Sequence, residues 1–267
     1  MILKSPFMRF SVKLMKFMAL IIIAVGFFSA RDAKLNGTVS KVLVNIIPFK
    51  DGNALLDITD VKHLIKKDYK KQIRGQVIES LNLTVLESII EKHTYIKDAQ
   101  VYIDAQNQLH IKITQKQPVL RVIDQNGQSF YLDENGSKLS LSDRVNLRLP
   151  LLTGHLPEYS KANVTKEGNI YHEILKISEF IRQDPFYNAL TEQFFVDENN
   201  DICFVPKLGK QKIIIGNADH IEAKFRRLEK FYTKAMPSKG WNTYTTINLK
   251  FKNQVIATKE DQMPIKN

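Results

Sequence analysis

Residues 84–118 read TVLESIIEKHTYIKDAQVYIDAQNQLHIKITQKQP, and the fold of the first half of the chain turns on them. Thr84-Val85-Leu86-Glu87 has capping-box spacing: a Thr hydroxyl can accept a backbone N–H while the Glu three residues on reaches back. Leu86, Ile89 and Ile90 then recur at helical period, so a helix is expected here. After His93-Thr94 the period changes to two. Val101 and Ile103 alternate within Ala99 to Asp104; Leu109, Ile111 and Ile113 do the same, with Ala105 to Gln108 as the turn between two strands. Gln117-Pro118 ends the pattern, because proline lacks the N–H that a strand would use.

Upstream, Val39 to Ile47 is rich in Val and Ile and closes at Pro48, which predicts a strand. Val61, Leu64 and Ile65 share one helical face, with Thr59 or Asp60 as the cap, and a long loop from Lys66 to Leu81 containing Gly75 follows. The order is strand, helix, helix, strand, strand.

Downstream the chain reads mostly as β. Val119 to Ile123 and Ser129 to Leu132 flank Asn126-Gly127, a strong hairpin signal, and Asp133-Glu134-Asn135-Gly136 turns the chain again. Ile170, Ile174, Ile177 and Ile181 predict an amphipathic helix ending near Asp184-Pro185. Strands are expected at Gln193–Val196, Asp201–Val205 and Lys212–Ile215. Ile221, Phe225 and Leu228 then form a helix face opposite Lys224, Arg226, Arg227 and Lys230. The last strong strand is Tyr244 to Phe251, with Ile247, Leu249 and Phe251 on one side and Thr246, Asn248, Lys250 and Lys252 on the other. Gln254 to Thr258 is a further short candidate.

The N-terminus sets the compartment. Phe17 to Phe28, FMALIIIAVGFF, carries no charge, and with Phe10 to Lys16 it reaches a length that can cross a bilayer. Lys4, Arg9, Lys13 and Lys16 precede or flank it with no acid among residues 1–30, so the positive-inside rule keeps the N-terminus cytoplasmic and exports the rest. A cleaved signal peptide would share the basic start and apolar run, but Phe28-Ser29-Ala30 puts a bulky residue where cleavage wants a small one. An uncleaved single span is therefore the expectation.

The 267 residues carry 39 Lys and Arg against 28 Asp and Glu, a net charge of +11. Beyond residue 30 that excess is dispersed rather than gathered into a patch interleaved with stacking aromatics, which argues against a nucleic-acid module. One cysteine, Cys203, excludes a disulfide scaffold, a zinc ribbon and an iron–sulfur centre. It stands in the apolar run Ile202-Cys203-Phe204-Val205 and reads as a buried, inert thiol. The six histidines are scattered without metal-ligand spacing, and no HExxH, G-x-S-x-G, phosphate loop or G-x-G-x-x-G occurs. No catalytic, cofactor or metal residue is assigned.

Read in order, these strings resemble the FtsQ/DivIB cell-division family, whose first extracytoplasmic domain is a POTRA domain. Leu83 to Glu87 through Ile96-Lys97-Asp98-Ala99-Gln100-Val101 resembles its second helix and strand entry, and Leu109 to Pro118 its strand exit. Tyr131-Leu132-Asp133-Glu134-Asn135-Gly136 and Leu149-Pro150-Leu151-Leu152-Thr153-Gly154 resemble strings of its second domain, and Ile247-Asn248-Leu249-Lys250-Phe251 its closing strand. Tyr95, Gln115 or Gln117, Asn248, Lys250 and Phe251 depart from the residues usual there.

The resemblance implies an α+β architecture. Residues 1–9 would be a cytoplasmic tail, 10–30 a transmembrane helix and 31–38 a linker. A POTRA-like βααββ domain would cover 39–117, a β-rich domain with flanking helices 118–258, and a disordered tail 259–267. It also implies a non-enzymatic scaffold of the division machinery, held in the inner membrane at the septum. FtsB/FtsL-like single-pass proteins would bind by strand addition at the C-terminal sheet edge, and other division proteins would bind the POTRA domain. The expected partner-binding residues are Thr246, Ile247, Asn248, Leu249, Lys250, Phe251, Lys252 and Val255, with Arg226, Arg227 and Lys230 as a second surface. Two alternatives stay open: a POTRA-containing component for outer-membrane protein assembly or secretion, and an exported envelope enzyme or glycan binder.

Overall fold

The computed structural model describes residues 15–25, 37–69 and 72–259. Residues 1–14, 26–36, 70–71 and 260–267 lie outside them, and with these the expected cytoplasmic tail, both ends of the expected 10–30 transmembrane helix, most of the expected linker and nearly all of the expected C-terminal tail. Residues 15–25 form helix α1; among the described residues no helix is long and apolar enough to cross a membrane. The chain divides into two compact units, Met1–Gln115 and Lys116–Asn267.

In the first unit, β1 (Lys41–Ile47) is followed by α2 (Ile58–Tyr69), a 3-10 turn at Ile78–Ser80, α3 (Leu83–Glu91), β2 (Ile96–Ile103) and β3 (Gln108–Gln115). The sheet order is β1-β3-β2, with β1 parallel and β2 antiparallel to the central β3. Leu109, Ile111 and Ile113 of β3 are fully buried against Leu86 and Ile90 of α3 and Val61 and Ile65 of α2. The period-two and period-3.6 stripes of the sequence meet there as one core.

The helix caps differ from those expected. The first turn of α2 is closed by reciprocal bonds between Asp57 and Asp60, each side chain accepting the other's backbone N–H at 2.9 Å. For α3 the cap is Asn82, whose Oδ1 accepts the Val85 N–H at 3.0 Å. Glu87 does not reach back to Thr84; it crosses to β2. Gln115, one of the two glutamines at the departure before Pro118, is buried and makes three backbone bonds. Its Oε1 accepts the Leu55 and Leu56 N–H groups at 2.7 and 3.2 Å, and its Nε2 donates to the Ile47 carbonyl at 2.9 Å. A neutral amide suits this position because it needs a donor as well as an acceptor.

The second unit is one nine-stranded sheet with helices. Its strands are β4 (Pro118–Ile123), β5 (Ser129–Asp133), β6 (Lys138–Leu139), β7 (Leu151–Gly154), β8 (Thr191–Val196), β9 (Ile202–Pro206), β10 (Lys212–Gly216), β11 (Thr246–Asn248) and β12 (Ile256–Thr258). Their spatial order is β12-β11-β10-β9-β8-β7-β4-β5-β6. Helix α4 (Ile170–Gln183) is capped by Asn169, and its four predicted isoleucines do enter the core, three of them buried and Ile170 partly so. Asp184-Pro185 ends it and also starts α5 (Pro185–Leu190): the Asp184 carboxylate accepts the Phe186 and Tyr187 N–H groups, and proline fits the first helical turn. Helix α6 (Ile221–Lys230) runs into a π-helical turn at Phe231–Ala235 and α7 (Met236–Lys239). Phe225 of α6 stacks on Phe204 of β9 at 6.0 Å between ring centroids and meets Tyr187 edge-on at 5.0 Å, so an aromatic cluster ties α5 and α6 to the sheet.

Candidate functional site

The segment 244–258 behaves differently from its sequence pattern. A single strand through Phe251 is expected, yet β11 stops at Asn248 and the chain doubles back as β12. Asn248 Oδ1 accepts the Lys250 N–H at 3.0 Å, and Asn253 takes a left-handed φ of 62°. Both are turn chemistry that asparagine supplies readily. The alternation of Ile247, Leu249 and Phe251 is therefore not one exposed face. Ile247 and Leu249 are fully buried in the core of the second unit, and only Phe251 emerges, 45% exposed. Ile247 and Leu249 are thus core residues rather than anchors for a partner, because their side chains point to the sheet face that packs into the core with Phe225 and Leu228, while β12 occupies the edge of β11 that an added strand would have used.

The backbone bonds show which side each strand faces. The Thr245 carbonyl accepts the Lys212 N–H at 2.8 Å, and the Leu249 N–H donates to the Ile214 carbonyl at 2.9 Å, so Ile247 and Leu249 face β10, while the Thr245 N–H turns to the Thr258 carbonyl at 2.9 Å. Thr246 and Asn248 then face β12, opposite Thr258 and Ile256. By the alternation of an antiparallel ladder, the Ala257 N–H and C=O point away from β11, toward the open edge of the sheet. β12 has β11 as its only strand neighbour among the described residues. Ile256 is 41% exposed, and Val255 and Ala257 are half-buried.

The ground beneath this edge is held by charge. Lys250 Nζ sits 2.6 Å from Asp201 Oδ2, and its stem passes 3.0 Å from where a Cβ on Gly216 would stand. Gly216 has φ +82°, a left-handed conformation that favours glycine. Lys212 Nζ sits 2.9 Å from Asp197 Oδ2. Burial alone would raise the Asp197 carboxyl; the Lys212 ammonium and the Asp201 and Asn199 backbone N–H groups outweigh it and hold the carboxyl below its ordinary value. Burial likewise opposes the charge on Lys212, and Asp197 overrides it, raising the ammonium. Cys203, fully buried beside this pair, is pushed up to about 12 chiefly by burial, which leaves an unreactive thiol.

The expected second surface on α6 divides in two. Arg227 donates from Nη2 to the Leu249 carbonyl at 2.9 Å, tying α6 to the end of β11. Lys224 is buried and donates to the Asn217 carbonyl at 2.9 Å and its Oδ1 at 3.0 Å; burial lowers its ammonium. Arg226 and Lys230 remain exposed. Of the residues singled out from the sequence, Lys250, Phe251, Lys252, Arg226 and Lys230 are exposed, Thr246, Asn248, Val255 and Arg227 are partly so, and Ile247 and Leu249 are buried. Ile256 and Ala257, the far end of the edge expected from Thr246 to Ala257, carry the open edge itself.

The first unit is a small mixed sheet with two helices, and the second is a long sheet whose terminal strand has one strand neighbour among the described residues. A model for the POTRA-like domain matches residues 40–114, and the family model described as FtsQ/DivIB, C-terminal related, matches residues 117–258. The chain belongs to the FtsQ/DivIB family of cell-division proteins. No curated protein matches the chain.

Proposed function

We propose that this protein is a non-enzymatic scaffold of the division machinery. An N-terminal span would anchor it in the inner membrane at the septum, with both folded units outside the cytoplasm. Its C-terminal sheet would recruit FtsB/FtsL-like single-pass proteins by strand addition. The observation that carries this reading is the edge of β12: a strand with one strand neighbour among the described residues, and with the Ala257 backbone groups turned outward. Exposed Ile256 and Phe251 lie beside it, and Lys252 and Lys259 stand near its ends. Main-chain bonds to an added strand supply affinity, and the alternate side chains choose the partner. The flanking lysines discourage pairing between copies and favour an acidic segment.

The test is cross-linked capture of the full-length tagged protein from dividing cells, beside Ala257→Pro. Proline there removes an outward donor without touching the ladder to β11. Leu249→Pro would not serve, because that N–H is bonded to Ile214. Septal single-span proteins should appear with the wild type and vanish with the variant, at unchanged circular dichroism and melting temperature. Equal capture by both would move the partner surface away from β12.

A further inference from the structure

The two edges of the POTRA-like sheet are built in opposite ways. On β2, Glu87 Oε1 accepts the Val101 N–H at 2.7 Å and Glu91 Oε1 accepts the Ala99 N–H at 3.2 Å. Helix α3 thus places a carboxylate on two successive outward donors of that strand and closes it to an incoming chain. β1 has β3 as its only strand neighbour among the described residues. Val39 bonds on its outer side to the loop, donating to the Gln76 carbonyl and accepting from the Gly75 N–H, while Ser40 donates inward to the Asn107 carbonyl. Along β1, Val42, Val44 and Ile46 lie beside Leu109, Ile111 and Ile113, whose backbone groups face away from β2; in parallel strands this turns the backbone groups of Val42, Val44 and Ile46 outward, past the point where the loop covers the edge.

Beside that stretch lies a groove of about 630 Å³ between β1, α2 and the loop. Its floor is apolar, from Val42, Ile65 and Ile73, and its rim carries Lys62, Lys66 and Arg74. No acid lines it among the described residues. Lys62 and Lys66 are one helical turn apart on α2, so their ammonium groups repel, and among the described residues no carboxylate on that rim offsets them.

We infer that β1 and this groove form a second docking site, which takes an extended, acidic segment of a partner protein as a fourth strand of the POTRA-like sheet. Apolar side chains of the segment cover Val42, Ile65 and Ile73. Its carboxylates meet Lys62, Lys66 and Arg74, and its backbone pairs with Val42, Val44 and Ile46. The inference rests on the scaffold reading but concerns a different edge from β12, and the two can fail separately.

The probe is a fluorescent nine-residue peptide with Val at alternate positions and Glu between, titrated by anisotropy against the full-length protein in detergent micelles. Controls are the same peptide with Lys for Glu, and a version with alternate N-methyl amides that keeps its side chains but cannot form a ladder. The acidic peptide should bind and both controls should fail. Lys62→Glu with Lys66→Glu, two exposed changes, should weaken binding roughly tenfold, and Ala257→Pro should leave it intact. Each of four results overturns the inference: no binding by the acidic peptide, equal binding by the N-methyl peptide, indifference to the double charge reversal, or loss in Ala257→Pro alone. The last would place the peptide on β12 and leave the scaffold reading standing. Phosphatidylglycerol vesicles form a separate arm. If they bind through Lys62 and Lys66 where the peptide does not, the occupant is an anionic membrane surface and the peptide site is refuted.

Discussion

β2 and β12 are both edge strands, and they treat their outward backbone groups differently. On β2, two glutamates from α3 satisfy the N–H groups of Ala99 and Val101 from within the fold. On β12, Ala257 points outward from a three-residue strand whose nearest charges are lysines outside the strand itself. A sealed edge adds stability and gives up binding capacity; an open one keeps that capacity and relies on brevity and flanking charge to avoid pairing with its own kind. The difference gives the edges separate jobs, and the predictions that follow test it in order of expected size.

The largest effect should come from confusing edge with core. Leu249→Ala removes a fully buried side chain and should cost about 2–5 kcal/mol, read as a lowered melting temperature. Phe251→Ala, two residues on and exposed, should change stability by less than about 0.5 kcal/mol. Comparable losses in both variants would mean that the hairpin after Asn248 is wrongly placed and that the strand runs on through Phe251.

Next is the seal on β2. Glu87→Ala with Glu91→Ala strips two charge-assisted acceptors and should cost about 1–3 kcal/mol. It should also open an edge that was closed. Sedimentation velocity should then show concentration-dependent association that the parent lacks, while Glu87→Gln with Glu91→Gln, which keeps two acceptor oxygens, should show far less. A double alanine variant that stays monomeric would show that the carboxylates support α3 rather than guard the strand.

The sequence disclosed the elements whose burial follows one period. The alternation of Leu109, Ile111 and Ile113 and the four-isoleucine stripe of α4 became cores as read. It disclosed less where two signals compete over a few residues. Thr84 and Glu87 have capping-box spacing, but Asn82 lies two residues earlier and caps better, which frees Glu87 to reach a strand remote in sequence. Asp184-Pro185 stops one helix and starts another with the same two residues. The hairpin between β11 and β12 was hidden because Leu249 and Phe251 continue the alternation of Ile247; Lys252-Asn253-Gln254, with its turn-forming asparagine, was the signal against it. Which edge is sealed is a tertiary fact and leaves no local pattern in sequence.

The Asp197–Lys212 pair supports the open side of the comparison by pinning β10 to the turn before β9. The Asp197 carboxyl is lowered in the folded state, so its contribution is present above the ordinary carboxylate range and fades as pH falls through the lowered value. The Lys212 ammonium is raised, so its contribution holds below 10.5 and fades as pH climbs through the raised value. Lys212 is about a third exposed, so solvent screening should keep the total under about 1 kcal/mol. Lys212→Met should flatten both flanks of a plot of melting temperature against pH; unchanged flanks would assign the acid and alkaline losses to other groups.

The smallest effect on stability belongs to Lys252→Glu, and it tests the open edge most directly. Lys252 is exposed in the turn between β11 and β12, so reversing its charge should leave the melting temperature within about 0.5 kcal/mol of the parent. If the edge selects an acidic strand, that reversal should slow association with the captured partner and leave dissociation nearly unchanged, because rim charges steer encounter more than they hold a complex. Added salt should slow the parent toward the variant's rate, since mobile ions screen exposed charges over about 8 Å at physiological strength. A variant that associates at the parental rate in low salt would remove charge from the recognition of β12. Backbone pairing at Ala257 and the apolar contacts of Ile256 and Phe251 would then have to account for partner choice alone.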